Sequence, residues 1–116
     1  MKKAAIIGGS MSGLFAANFL KQINWDYSIH EMVPEPLSGR GAGIATYDEL
    51  AELVKLTTGY KQSLGTTCDE RIVLNKKNSV VTKMKYPQVF TSWQYLYDVL
   101  LSNIDKKKYF LGDECI

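Results

Sequence analysis

The stretch AAIIGGSMSGLFAANFL, residues 4–20, indicates the fold more strongly than any other part of the sequence. An apolar run that leads straight into glycines is typical of a short buried strand that ends in a tight turn, and it predicts a strand over Lys3–Gly8, buried on both faces. Small residues then recur at helical spacing, which favours a helix over Ser12–Ile23 with Gly13 on its packed face and Asn18 facing water. The sequence therefore predicts a strand and a helix joined by a glycine turn.

A second strand is predicted directly after this helix. In residues 26–31 the apolar Tyr27 and Ile29 alternate with the polar Ser28 and His30, which is the two-residue period of a strand. Strand, helix and strand within so short a stretch form a βαβ unit, whose crossover makes its two strands parallel. The fold class predicted is therefore α/β and Rossmann-like, with a parallel sheet in the order 3-2-1.

Two further helices are predicted from capping signals and apolar periodicity. Thr46 and Glu49 have the spacing of a capping box, and apolar residues then recur at helical spacing as far as Gly59. Thr91 and Gln94 have the same spacing, and they precede a longer apolar stripe that ends at Ile104.

The remaining segments are predicted to be a loop, a hairpin and a final strand. Residues 32–44 are rich in Pro and Gly, which favours a long ordered loop. Residues 71–86 contain two β-rich runs around a polar tip at 75–79, which predicts a small β-hairpin excursion from the α/β body. The last ten residues favour a strand, a turn at Gly112 and the beginning of another strand.

Composition excludes several classes of protein. The chain has 116 residues, 46% of them hydrophobic, which is enough for one domain only. The net charge of +2 is small and scattered, so no nucleic-acid partner is expected, and no apolar run is long enough to predict a membrane partner. The first apolar segment is too short for a signal peptide, and the two cysteines have no metal-ligand spacing, so a cytoplasmic protein without a metal site is expected.

The glycine turn has the features of a phosphate-binding site. The first amides of a helix lack internal partners and carry partial positive charge, so they can bind a phosphate if no side chain intervenes. The dinucleotide fingerprint G-x-G-x-x-G falls on Gly8, Gly9, Ser10, Met11, Ser12 and Gly13, with Ser10 in place of the second glycine. Glu31 lies 18 residues beyond Gly13, at the end of the second strand, where a carboxylate can accept both ribose hydroxyls of an adenosine. The alternative is that the glycines only form a tight turn and that Glu31 is a solvated strand end.

Three segments together resemble a known family. The stretches IIGGSMSGLFAANFL (6–20), LSGRGAGI (37–44) and TSWQYLYDVL (91–100), with the acid at Glu31, are similar to the N-terminal part of the FAD-dependent aromatic-ring hydroxylases. The serine in the glycine turn is similar to that of the dihydroxypyridine hydroxylase branch. The resemblance implies that FAD binds with its pyrophosphate over the turn and its ribose on Glu31. It also implies that Arg40, Gly41, Ala42 and Gly43 lie beside the cofactor.

The resemblance also implies what the chain lacks. Family members are longer, with a later motif for the flavin and a separate substrate sheet, so residues 1–116 are expected to be the truncated, N-terminal part of an FAD/NAD(P)-binding domain. Many relatives have a pyrophosphate-binding Arg where this chain has Trp93. The complete enzyme would hydroxylate an aromatic or heteroaromatic substrate with NAD(P)H and oxygen. A homodimer or a second chain would complete the sheet.

The sequence is also compatible with two other functions. One is a small nucleotide-binding module without redox chemistry, and the other is a non-binding remnant whose fold serves as an interaction surface. No catalytic residue is assigned, and His30, the only histidine, is interpreted as a strand residue because no Ser, Cys or Asp can be placed beside it from the sequence.

Overall fold

The structure, a computed structural model, describes every residue from Met1 to Ile116. It has two three-stranded sheets and three α-helices, with one short 3-10 turn before the last strand. The elements in chain order are β1 (Lys3–Ile7), α1 (Met11–Gln22), β2 (Asp26–Glu31), β3 (Gly43–Thr46), α2 (Asp48–Thr58), β4 (Thr66–Leu74), β5 (Val80–Ser92), α3 (Trp93–Ser102) and β6 (Tyr109–Leu111).

The first sheet is parallel and is built around the βαβ unit. β1 pairs with β2 in parallel, and β2 pairs with β6 in parallel, so the observed order is β1-β2-β6. The predicted α/β class with a parallel sheet is confirmed. The outer strands β1 and β6 each have no neighbour on their other side, so both edges of this sheet are free.

One face of the parallel sheet is covered by helices and the other is open. Tyr27 and Ile29 of β2 are buried against the helices, as their alternation predicts. The prediction that β1 is buried on both faces is wrong for these residues, because Lys3, Ala5 and Ile7 are exposed. The reason is that α1 packs on one face of β1, while the opposite face, which carries these three residues, is left uncovered.

The hydrophobic core lies between the sheet and the three helices. Its apolar members come from both layers, because α1 packs on β1 and β2 while α2 and α3 pack on α1. They are Leu14, Ala17, Tyr27, Ile29, Leu37, Val54, Leu64, Leu96, Tyr97, Val99, Leu100 and Ile104. No helix combines the length and apolarity that crossing a membrane requires.

Asn18 is a polar member of this interior, contrary to the prediction that it faces water. Its side chain is fully buried. The Nδ2 group donates to the carbonyl oxygens of Leu14 at 2.8 Å and Leu100 at 3.1 Å, and Oδ1 accepts from Asn103 Nδ2 at 2.6 Å. These bonds connect α1 to α3, so α1 is covered by α3 on a side that periodicity assigned to solvent.

The second sheet is antiparallel and has the order β3-β5-β4. The predicted hairpin is present, with its tip at 75–79, where Asn75 Oδ1 accepts from the amides of Lys77 and Ser79. The paired strands are longer than predicted and form a ribbon over 66–92. Residues 43 and 44, predicted as loop, already belong to β3, and the further strand predicted after Gly112 does not form, because β6 is the last strand of the chain. The ribbon extends the molecule to 58 × 28 × 19 Å.

Neither predicted capping box forms. The Thr46 hydroxyl donates to the Val89 carbonyl across the β3–β5 pair, so α2 begins after Tyr47 without a side-chain cap. At α3 the cap is Ser92, which accepts from the Tyr95 amide at 3.1 Å. Pairing of β3 with β5 controls both outcomes, because it engages the hydroxyl of Thr46 and extends β5 to Ser92.

Candidate functional site

The turn between β1 and α1 requires two glycines for different reasons. Gly8 has φ +99°, a backbone conformation that side chains disfavour, and its amide donates to the His30 carbonyl at 2.8 Å. At Gly13 a Cβ would lie 2.0 Å from the Gly8 carbonyl oxygen. Gly8 therefore shapes the turn, and Gly13 lets α1 approach β1 closely.

Four consecutive amides at the start of α1 are free. The amides of residues 10–13 donate to no group of the chain, and the first helical bond runs from the Leu14 amide to the Ser10 carbonyl at 3.0 Å. The Ser10 hydroxyl, at the N-cap position, does not cap the helix. Free amides and the positive end of the helix dipole favour an anion at this place.

Glu31 lies beside this turn, at the end of β2. The residue is only 7% exposed, and its carboxylate accepts two backbone hydrogen bonds, from the Gly9 amide at 2.8 Å and from the Val33 amide at 3.0 Å. A carboxylate has about four acceptor sites, so both oxygens can still accept from hydroxyl groups. The two amides fix the carboxylate in place.

A cleft of about 280 Å³ lies at the carboxyl ends of β1 and β2. Gly8 and Glu31 line it on one side, and the chain's last residues line it on the other. Ligands of open parallel sheets bind at this end of the strands. A larger cleft of about 580 Å³ lies at the opposite end of the sheet, near Asp26 and Lys108, away from the glycine turn.

The segment from Arg40 to Gly43 is held at the start of α3. The Trp93 amide donates to the Ala42 carbonyl at 2.9 Å, and the Gly39 amide donates to Gln94 Oε1 at 3.1 Å. Arg40 is exposed and pairs with no acidic group of the chain. Its guanidinium is therefore free to bind an anion.

Three aromatic residues connect this segment to the glycine turn. The Tyr109 hydroxyl donates to the Gly9 carbonyl at 2.7 Å and lies 3.1 Å from the Tyr97 hydroxyl. The ring of Tyr97 stacks on Trp93 with 4.8 Å between centroids. Burial, followed by the hydrogen bond with Tyr97, raises the pKa of Tyr109 far above its ordinary value, so its proton stays in place. No sequence pattern pointed to Tyr109.

His30 lies in β2, as predicted, and its ring has two side-chain partners. Its Nε2 lies 2.7 Å from Ser28 Oγ, and its Nδ1 lies 2.6 Å from Asp113 Oδ2. Ser28 and His30 share the open face of β2, and Asp113 follows β6, where its amide donates to the Glu31 carbonyl. The sequence could not indicate this contact, because Asp113 lies 83 residues from His30.

Comparison with known proteins identifies what this arrangement resembles. The 2,6-dihydroxypyridine 3-monooxygenase of Paenarthrobacter nicotinovorans is 46% identical over 48 residues, which are 41% of this chain and 12% of that protein. The structure of 2,6-dihydroxypyridine-3-hydroxylase from Arthrobacter nicotinovorans matches with a TM-score of 0.84 and 28% identity, over 96% of this chain. The chain resembles part of an FAD-dependent aromatic-ring hydroxylase. The resemblance expected from the sequence is thus confirmed.

The match covers only part of each relative. The chain spans 28% of the Arthrobacter hydroxylase. The crystal structure of Klebsiella pneumoniae HpxO complexed with FAD and uric acid matches over 96% of this chain and 31% of that protein, with a TM-score of 0.72. At 20% identity this second likeness shows the fold alone. No family model matches the sequence.

Proposed function

We propose that residues 1–116 are the N-terminal, FAD-binding portion of a flavin-dependent monooxygenase. The observation that supports this most directly is the row of four free amides, at residues 10–13, beside the buried carboxylate of Glu31. An anion on the amides and a ribose on the carboxylate match the adenosine diphosphate half of FAD. The complete protein would use NAD(P)H and oxygen to hydroxylate an aromatic or heteroaromatic ring.

The residues present fit this half of the cofactor. The amides and the Ser10 hydroxyl would hold the pyrophosphate, while Arg40 would offset its charge. Glu31 would accept the ribose hydroxyls with the lone pairs that its two backbone amides leave free. Residues 41–43 would lie along the cofactor, where glycines allow close approach. FAD supplies the oxidation and reduction chemistry when bound, and this chain's residues hold and orient it.

The open parts of the fold support the proposal that this domain is completed by more protein. β1 has a free edge and an uncovered face, and the parallel strands would be the 3-2-1 half of a larger sheet. The β4–β5 ribbon exposes Ile72, Val73 and Val81 by half or more. A further part of the same protein, a second chain or a homodimer would cover these surfaces.

A titration with FAD tests the proposal. We expect quenching of flavin fluorescence that saturates as the chain is added. Glu31→Gln removes the ribose-binding charge and should weaken binding about tenfold, the value of one charge-assisted hydrogen bond. Glu49→Gln changes the same residue type in exposed α2 and should leave affinity unchanged. Absence of saturable binding by the unaltered chain would refute the proposal.

A dinucleotide-binding module without redox chemistry is the second candidate. The feature that favours it is that Glu31 and the free amides all match the adenosine diphosphate half, which FAD and NAD share. Competition separates the two candidates. If NAD displaces FAD at equal concentration, the chain does not distinguish the flavin, and the module is the better description.

A further inference from the structure

The backbone of Gly9, which precedes the Gly9–Ser10 peptide bond, is held by two side chains. The Gly9 carbonyl oxygen accepts from the Tyr109 hydroxyl at 2.7 Å, and the Gly9 amide donates to Glu31 Oε2 at 2.8 Å. Both backbone groups of Gly9 therefore have side-chain partners. Neither partner belongs to the fingerprint hexapeptide, because Tyr109 lies 100 residues away and Glu31 lies 22 residues away.

Because a peptide unit is planar, fixing the Gly9 carbonyl also fixes the direction of the Ser10 amide. The carbonyl of Gly9 and the amide of Ser10 belong to one trans peptide unit, so they point in opposite directions. A carbonyl fixed toward Tyr109, which packs against the core, directs the Ser10 N–H away from it. The Ser10 amide is the first of the four free donors of the turn.

The hydrogen bonds of this cluster run in one direction. A carbonyl oxygen can only accept, so the single proton of the Tyr109 hydroxyl goes to Gly9. The Tyr97 hydroxyl, 3.1 Å away, must then donate to the Tyr109 oxygen. Tyr97 is 2% exposed and stacks on Trp93, so its hydroxyl is held in place by packing. Tyr97 thus supports the position of Tyr109.

We propose that Tyr109, supported by Tyr97, is a positioning residue for the phosphate-binding turn. It contacts no phosphate itself, and it acts by fixing the Gly9–Ser10 peptide so that the Ser10 amide points at the ligand. The close packing of Tyr109 against Gly9 supports this role, because a Cβ at Gly9 would lie 2.1 Å from the Tyr109 hydroxyl oxygen. This glycine is therefore required for the tyrosine contact. The inference rests on the proposed FAD site.

Two conservative variants test the role. Tyr109→Phe keeps the ring and removes the donor, and it should weaken FAD binding about fivefold, the value of one neutral hydrogen bond. Tyr97→Phe should weaken binding less. The double variant should bind as Tyr109→Phe does, because Tyr97 acts only through Tyr109. Tyr47→Phe is the matched control, since Tyr47 is 57% exposed and its hydroxyl has no partner.

A second readout works without a ligand. In the free chain, Tyr109→Phe should move the Ser10 amide resonance in a ¹H–¹⁵N spectrum, whereas Tyr47→Phe should not. If the unaltered chain binds no FAD, the proposed function fails, while a moved Ser10 resonance still supports the positioning of the turn by Tyr109. An unmoved Ser10 resonance, or FAD affinity equal to that of the unaltered chain, would overturn the inference.

Discussion

Replacing Gly13 with alanine tests the close approach of α1 to β1. The new Cβ would lie 2.0 Å from the Gly8 carbonyl oxygen and 3.1 Å from the Gly8 carbonyl carbon. Ordinary van der Waals contacts begin near 3.4 Å, so α1 would have to move away from β1 by more than 1 Å. Overpacking costs about 1–3 kcal/mol, and the upper end applies because the obstacle is backbone and not a flexible side chain.

The expected result is a large loss of thermal stability. A cost of about 3 kcal/mol in a domain of this size lowers Tm by roughly 12 °C or more. Thermal unfolding followed by circular dichroism measures the change. Gly41→Ala is the control, because a Cβ there meets nothing within 4 Å, and its Tm should be unchanged. If the two alanine variants unfold at the same temperature, the argument that Gly13 sets the strand–helix distance is wrong.

Two further predictions concern polar contacts. Asn18→Leu should lower the free energy of unfolding, measured by urea denaturation, by about 2 kcal/mol. The reason is that the Leu100 carbonyl and the side-chain amide of Asn103 both lose Asn18 as a hydrogen-bond partner. A leucine variant as stable as the unaltered chain would contradict this. The hydrogen bond from Lys108 lowers the pKa of Asp26. This pair therefore contributes to the free energy of unfolding above the pKa that Asp26 has in the unfolded chain, and the contribution is lost as pH falls through the pKa of Asp26 in the folded chain. Urea unfolding between about pH 5 and pH 2 should show this loss, and Asp26→Asn should lack it.

Local sequence patterns predicted the βαβ unit because its signals lie close together in the chain. The apolar run before the turn, the small residues of α1 and the alternation of β2 each reflect one face of one element. Glu31 was predicted as a site residue by the same logic. The structure places it beside the turn, where the Gly9 and Val33 amides hold its carboxylate, and the fingerprint spacing does not predict either of these contacts.

The incorrect predictions share one cause, which is contact between distant segments. Asn18 is buried because α3 covers it. Thr46 fails as a cap because its hydroxyl bonds to β5. A polar side chain has several possible partners, and local spacing cannot tell which of them the tertiary fold brings near.

The long chain separation between Tyr109 and Gly9 has a consequence for folding. The strands β1 and β2 are joined by one helix and can pair early, whereas β6 must return across 77 residues to reach β2. The glycine turn would then gain its final shape late, after the backbone around it has formed. Brief detachment of β6, which has three paired residues, would release Gly9 while the βαβ unit stays folded. The shape of the glycine turn and global stability would thus be lost separately, and hydrogen exchange at the Gly112 amide, which donates to the Val33 carbonyl directly after β6, would report the first loss.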